Sequence, residues 1–350
     1  MRVMDTKIVG VIGHFGYGKN LVNGQTIKTK IITDELIRIL GENKIETIDS
    51  AIGFSGIVTL FFRVGLMMFR CKNIIILPAH KGLIYFSIVL WFWKCFFKVN
   101  LHYVVIGGWL VNYLENKSII EAILKQFDHI FVENTITKLE LENKGFRNVM
   151  ILSNCKSLNI TKIGKKKKFY KKTYKLCILS RVMYEKGIDD AIFAINKIND
   201  MYEEIRFCLD IYGPIEKKYI DNFNKLLVNN AKFIKYKGIV SYNETYQIIQ
   251  KYDFLLFPTR FFEEGIPGTI IDAYAAGVPV IFSKWKHWKD VMEDGRTGFG
   301  YDFGSLDSLT NILSVVAREN IDYYFMQTCC IKRAGDYQAS KVIQYLVKFL

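Results

Sequence analysis

Short apolar runs alternate with longer amphipathic stretches along nearly the whole chain, and this alternation limits the fold more than any other feature. "KIVGVIG" reads as a buried strand. "TIKTKIITDELIRIL" puts Ile27, Ile31, Ile32, Leu36, Ile39 and Leu40 on one helical face, and Gly41 stops it. The rhythm continues through strand-like "KIETID", "NIIILPA", "LHYVVIGG", "HIFVEN" and "NVMILSN", with helix-like segments between them. Strands alternating with helices predict a parallel sheet covered on both faces. The regularity breaks at Lys156 and resumes with "YKLCILSRV", then runs through "RFCLDIYG", "FLLFPT" and "VPVIFS". The chain therefore reads as α/β, with two Rossmann-like, doubly wound halves at residues 1–160 and 176–330. A linker at 161–175 joins them, and a C-terminal helix occupies 331–350. Open sheets of this kind bind ligands beyond the carboxyl ends of their strands. Two of them facing each other would hold a ligand in the cleft.

A length of 350 residues suits two domains, and 50% apolar residues supply ample core. The formal charge of +14 favours anionic partners without choosing among nucleic acid, anionic lipid and phosphorylated small molecules. Between Lys162 and Lys175 stand eight lysines and no acid. A like-charge block resists packing and reads first as a solvated linker, or else as a contact for anionic lipid or substrate. The seven cysteines show no C-x-x-C and no regular spacing, which predicts reduced thiols, a cytoplasmic setting and no zinc site. "MRVMDTKIVGVIG" runs straight into a strand, so no signal peptide is expected. The most apolar run, Leu83 to Trp93, is well short of the roughly 20 residues of a spanning helix.

The glycine-rich stretch after the first strand, "VIGHFGYGKNLVNG", spaces Gly13, Gly18 and Lys19 as a P-loop does. The next position is Asn20, where a P-loop needs a magnesium-binding hydroxyl, and Asn23-Gly24 turns the chain before the helix. The dinucleotide pattern fails too, since Gly16-Tyr17-Gly18 is followed by Leu21. Two readings survive: a loop whose amides approach an oxyanion, or a tight turn with no ligand.

The second half carries "FPTRFFEEGIPGTIIDAYAAGVPVIFS". Pro267 suits a first helical turn, and the helix start at Gly268 offers free N–H groups and the positive end of a dipole. Glu264 stands just outside that end. Asp272 lies inside the helix beside Ala273, Ala275 and Ala276, where a buried acid needs a donor partner. Upstream, "SRVMYEKG" follows a strand and supplies Arg181 and Lys186, two cations able to clamp a diphosphate.

These pieces, with "IYG", "YKGIVSYNE" and "VMEDGRTGFGYD", resemble the retaining family-4 glycosyltransferases of the GT-B fold over most of Tyr174 to Phe303. Within that family the chain is most similar to enzymes of bacterial capsule, exopolysaccharide and O-antigen synthesis, in which "VVIGGWL" and "NGQTIKT" recur. The first half resembles them more weakly, through the glycine loop and "FVENTITKLELENKGFRNVMILSN". The resemblance implies an acceptor-side first domain, a donor-side second domain and a final helix returning toward the first. It implies that Arg181 and Lys186 hold the donor's diphosphate and that Glu264 opens an E-x7-E motif and meets the transferred sugar. Asp272, one methylene shorter than the family glutamate, would hold the ribose. Gly265, Ile266, Gly268 and Thr269 would offer backbone amides, and Gly16 and Gly18 would close over the phosphates. Many relatives carry a histidine where this chain has Gly107 and Gly108; His80, on a neighbouring strand end, either serves the acceptor side or is a surface-loop residue.

The expected substrates are a nucleotide sugar, UDP-linked by preference with GDP open, and a glycan or polyprenyl-diphosphate-linked acceptor. No cofactor is expected, and no metal, since no D-x-D triplet occurs. "FFRVGLMMFRCK" and "KGLIYFSIVLWFWKCFFK" mix rings with cations and read either as core helices or as a surface resting peripherally on an anionic inner membrane. Other readings are a nucleotide-sugar epimerase or phosphorylase of the same fold and a basic nucleic-acid module. The last has only Phe169, Tyr170 and Tyr174 beside the lysine run, and no nucleic acid is expected as a partner.

Overall fold

The computed structural model describes residues 7–17, 24–50, 56–162, 171–230, 232–318 and 321–350. The chain forms two units, residues 1–157 with 337–350, and residues 158–336. In the first unit the described strands are β1 (Lys7–Gly13), β2 (Ile45–Asp49), β3 (Cys71–Ile76), β4 (Asn100–Val104), β5 (His129–Val132) and β6 (Val149–Ile151). They form one parallel sheet in the order β2-β1-β3-β4-β5-β6. Its helices are α1 (Gly24–Leu40), α2 (Ile57–Arg70), α3 (His80–Lys94), α4 (Leu110–Leu114), α5 (Ser118–Leu124) and α6 (Thr135–Asn143).

The second unit repeats the plan. Strands β7 (Tyr174–Leu179), β8 (Phe207–Tyr212), β9 (Ile234–Tyr236), β10 (Phe254–Phe257), β11 (Val280–Ser283) and β12 (Gly298–Tyr301) lie parallel in the order β12-β11-β10-β7-β8-β9. Around them run α7 (Ile188–Asn199), α8 (Ile220–Asn229), α9 (Thr245–Ile249), α10 (Gly268–Ala276), α11 (Trp288–Val291), α12 (Leu306–Arg318) and α13 (Tyr323–Ala334). The last helix, α14 (Ala339–Val347), belongs to the first unit: Ala339, Val342, Ile343 and Leu346 are buried in one core with Ile32 and Leu36 of α1.

Buried strands explain their own composition. Ile74, Ile75 and Ile76 of β3 and all of β10 are buried, so neither shows the in–out alternation of a half-exposed sheet. One face of the first sheet packs on α2, α3 and α5 through Leu60, Val64, Met67, Leu83, Phe86 and Leu124; α1 and α14 cover the other. Each sheet reverses its winding once. The reversal falls between β1 and β3 in the first unit and between β7 and β10 in the second. Loops leaving neighbouring strands at such a point diverge to opposite faces and leave a crevice, the usual ligand position in open α/β sheets.

A charged pair is sealed inside the first unit. Lys28 of α1 bonds Glu133, which follows β5, at 2.5 Å, with the two side chains 4% and 3% exposed. Lys28→Met should remove the cation beside the buried Glu133 carboxylate and lower the unit's stability by about 3–5 kcal/mol. Lys28→Met with Glu133→Leu should recover most of that loss in urea unfolding. Equal stability of the single variant and the parent would contradict burial of the pair.

Candidate active site

The loops leaving β7 and β10 meet in the second unit. Lys186 lies in a short turn, Tyr184–Lys186, after β7; Glu264 lies in the segment between β10 and α10. The Lys186 ammonium donates to Glu264 Oε2, to which Thr259 Oγ1 also donates at 3.3 Å. The two ion-paired side chains are 20% and 18% exposed, so this charge is partly screened from water but open to a ligand. Phe257, the last residue of β10, has its ring 6.0 Å from the ammonium.

Gly187 makes this meeting possible. Its φ of +66° suits glycine, and a Cβ there would sit 1.8 Å from the Pro258 carbonyl oxygen. The β7 loop thus presses directly on the backbone leaving β10. Arg260 ties the same loops: its backbone N–H donates to the Glu185 carbonyl at 2.8 Å, and its guanidinium grips Asp190 of α7 through two bonds of 2.8 and 2.6 Å. The guanidinium also stacks over Tyr184 at 4.1 Å. Sequence reading passed over Arg260 and Asp190, whose 70-residue separation hides the pairing.

Pro267 precedes α10 with extended backbone, φ −71° and ψ 128°. The amides of Ile270 and Ile271 turn back to the Pro267 carbonyl, at 3.1 and 3.4 Å. Those of Gly268 and Thr269 come before any intrahelical acceptor and point out of the helix start. Gly265, Gly268 and Thr269 are half-buried, and Ile266 is buried. Asp272 is buried one turn on, and Thr245 of α9 donates to its Oδ2 at 2.7 Å, the partner its burial requires. Arg181 follows β7 and is exposed. Beside Glu264, Glu263 accepts twice from Lys286 at 3.2 Å and lies 3.6 Å from buried His287. Burial first, and then Lys286, holds that imidazole below the usual histidine range, with Glu263 opposing.

In the first unit, Gly16 has φ +62° in the loop after β1. The amides of Phe15 and Tyr17 donate to the two carboxylate oxygens of Asp49, each at 3.0 Å. An internal anion thus takes two of the loop amides that sequence reading offered to a phosphate. Gly18 and Lys19 lie outside the described residues, as do residues 163–170 of the lysine run. His80 is the first residue of α3 rather than part of a strand end, and holds φ +38°, unusual for a residue with a Cβ. Its ring stacks on Trp109 at 4.3 Å and meets Tyr113 edge-on at 5.3 Å. Gly107 and Gly108 directly precede that tryptophan, and Gly107 has φ +85°. The structure therefore groups His80 with the Gly107–Gly108 turn at the end of the first sheet. Among the described residues no group of three or more His, Cys, Asp or Glu could hold a metal ion.

Residues 173–317 match the family model described as glycosyl transferases group 1. That stretch is a glycosyltransferase group 1 domain. It spans the Lys186–Glu264 pair, Asp272 and the start of α10. Among curated proteins no sequence matches the chain. Solved structures show the same fold at low identity. HepE of Anabaena, in complex with UDP and glucose, is 13% identical with a TM-score of 0.73, covering 98% of each chain. Sucrose-phosphate synthase of Thermosynechococcus elongatus is 13% identical with a TM-score of 0.76, also covering 98% of each. A glycosyltransferase of Rickettsia africae is 12% identical with a TM-score of 0.72, covering 99% of this chain and 98% of its own. The two six-stranded parallel sheets are those of the GT-B glycosyltransferase fold.

The group 1 domain should be sensitive at Gly187. Gly187→Ala combines a left-handed backbone with a direct clash, whereas Gly304→Ala adds a Cβ at φ +72° with nothing within 4 Å. Urea unfolding should show about 1–3 kcal/mol of strain for either change, with Gly187→Ala clearly the more damaging. Equal losses would mean that the contact with Pro258 does not hold the loops together.

Proposed function

We propose that the protein is a retaining, metal-independent glycosyltransferase. It moves a sugar from a nucleotide-diphosphate sugar, UDP-linked by preference, to a glycan or polyprenyl-diphosphate-linked acceptor in bacterial surface polysaccharide synthesis. The observation that carries the reading is the Lys186–Glu264 pair beside the open start of α10, inside the group 1 domain. HepE, of the same fold, is a UDP and glucose complex, which favours UDP.

In this reaction the bond between the anomeric carbon and the β-phosphate oxygen breaks, and a bond from the acceptor oxygen to the same carbon forms. An oxygen of the departing phosphate takes the acceptor's hydroxyl proton on that face, so the configuration is kept. Negative charge grows on the leaving diphosphate. Lys186, Arg181 and the amides of Gly268 and Thr269 stabilise it, and they do so more in the transition state than in the ground state because they are already aimed. Glu264 accepts from the sugar's hydroxyls and, by holding Lys186, fixes the ammonium before the donor arrives. Asp272, braced by Thr245, takes the ribose hydroxyls. His80 and the Gly107–Gly108 turn serve the acceptor. The support for their role is the His80–Trp109 stack at a carboxyl-end loop of the first sheet.

A thermal-shift screen of nucleotide sugars, followed by turnover with and without acceptor, tests the reading. UDP or a UDP-sugar should raise the melting temperature, and Lys186→Ala and Glu264→Gln should each lower kcat by roughly 10²–10³-fold, the scale of one lost oxyanion donor. Protection by an oligonucleotide but by no nucleotide sugar, or sugar conversion that needs no acceptor, would overturn it.

A further inference from the structure

Helix α2 carries apolar residues beyond its core-facing side, and these are left uncovered. Leu60, Val64, Met67 and Met68 enter the core, while Val58, Phe62, Leu66 and Phe69 are 70%, 62%, 46% and 58% exposed. Those four recur at i, i+4, i+8 and i+11, so they share one outward face. On the neighbouring α3 and the turn after it, Phe92 and Phe96 are 42% and 66% exposed. Ring contacts join the two sets into one patch. Phe61 touches Phe62 and Phe92 with centroids 5.5 Å apart, Phe92 touches Phe96 at 5.4 Å, and Phe69 touches Phe97 at 5.9 Å. A contiguous exposed apolar surface of this kind marks an interaction site, where scattered single residues would not.

Charge decides what covers it. Residues 50–114 contain no aspartate or glutamate, yet include Arg63, Arg70, Lys72, Lys81, Lys94 and Lys98. Arg63, Lys72 and Lys98 are exposed and, among the described residues, make no ion pair. Arg63 stands directly after Phe62, and Lys98 two residues after Phe96. Two copies of such a face would bring like charges together and pay for their desolvation. An anionic bilayer accepts both parts: rings enter the headgroup boundary while long cationic side chains reach its phosphates. No helix among the described residues is long and apolar enough to cross a membrane, so the contact is with one leaflet surface.

We infer that the α2–α3 face is a docking surface for an anionic lipid bilayer, with Phe62, Leu66, Phe69, Phe92 and Phe96 inserted and Arg63, Lys72 and Lys98 on the headgroups. The inference stands on this surface alone, and its test needs no sugar transfer. It deepens the lipid-linked acceptor reading by giving the enzyme a place where such an acceptor resides.

Sedimentation of the full chain with vesicles of phosphatidylcholine alone, or with added phosphatidylglycerol, measures it. Binding should favour the anionic vesicles, by roughly fivefold for each engaged cation, and weaken at high salt. Phe62→Asp with Phe96→Asp, both at exposed positions, should abolish sedimentation while thermal unfolding and UDP protection stay as in the parent. Arg63→Glu with Lys98→Glu, which leaves the rings in place, should remove the preference for anionic lipid even if the first variant fails to fold. Equal partition to both vesicle types, or no partition to either, overturns the inference. So does a dimer in solution that Phe62→Asp dissolves, which would make the face a protein interface.

Discussion

The candidate site depends on the ion pair between Lys186 and Glu264, because it joins two loops at the single reversal of the second sheet. Neither side chain would be held by its own segment alone. The β7 loop reaches the pair because Gly187 lets the backbone press on Pro258, and Arg260 keeps the two loops together through Glu185 and Asp190. A cation fixed in advance beside an open helix start loses little entropy when a diphosphate binds, which is where a preorganised site gains over a flexible one. The arrangement answers to topology: strands β7 and β10 are neighbours in the sheet although their first residues, Tyr174 and Phe254, are 80 positions apart.

The two units share a winding plan but treat its reversal differently. In the second, the loops present a cation and free helix amides. In the first, the loop after β1 already spends the amides of Phe15 and Tyr17 on Asp49, and the loop after β3 sets an unusual backbone at His80 under an aromatic stack. The first site is thus built from rings and a satisfied turn, the second from charge. The contrast shows why a glycine-rich spacing is a poor guide by itself: the same amides serve a ligand or a neighbouring carboxylate with equal geometry.

Much of the fold was legible in the sequence. The strand–helix rhythm located the strands that the structure contains around "KIVGVIG", "NIIILPA", "YKLCILS" and "VPVIFS", because fully buried parallel strands must be apolar throughout. Local chemistry also marked the α10 start through Pro267 and Gly268, with Lys186 after a strand, Glu264 before the helix and Asp272 inside it. The short strand β12, Gly298–Tyr301, escaped notice, since "GFGY" has two glycines and too little apolar length for a strand. The α2 and α3 segments left two readings open, core or surface, and the structure divides them residue by residue: Val64 and Met67 are inside, Phe62 and Phe69 outside.

By itself the sequence determined the fold class and the existence of two sheets, and it marked residues whose chemistry suits an anion, because periodicity and residue chemistry are local properties. Only the tertiary structure decided partners: that Lys186 meets Glu264, that Thr245 braces Asp272, that Asp49 occupies the glycine loop, and that Phe62 and Phe92 form one exposed patch. Each of those pairs joins segments 27 to 78 residues apart or lies on helices whose facing depends on what covers them. Strand order and burial fix such meetings, and no single stretch of chain encodes them.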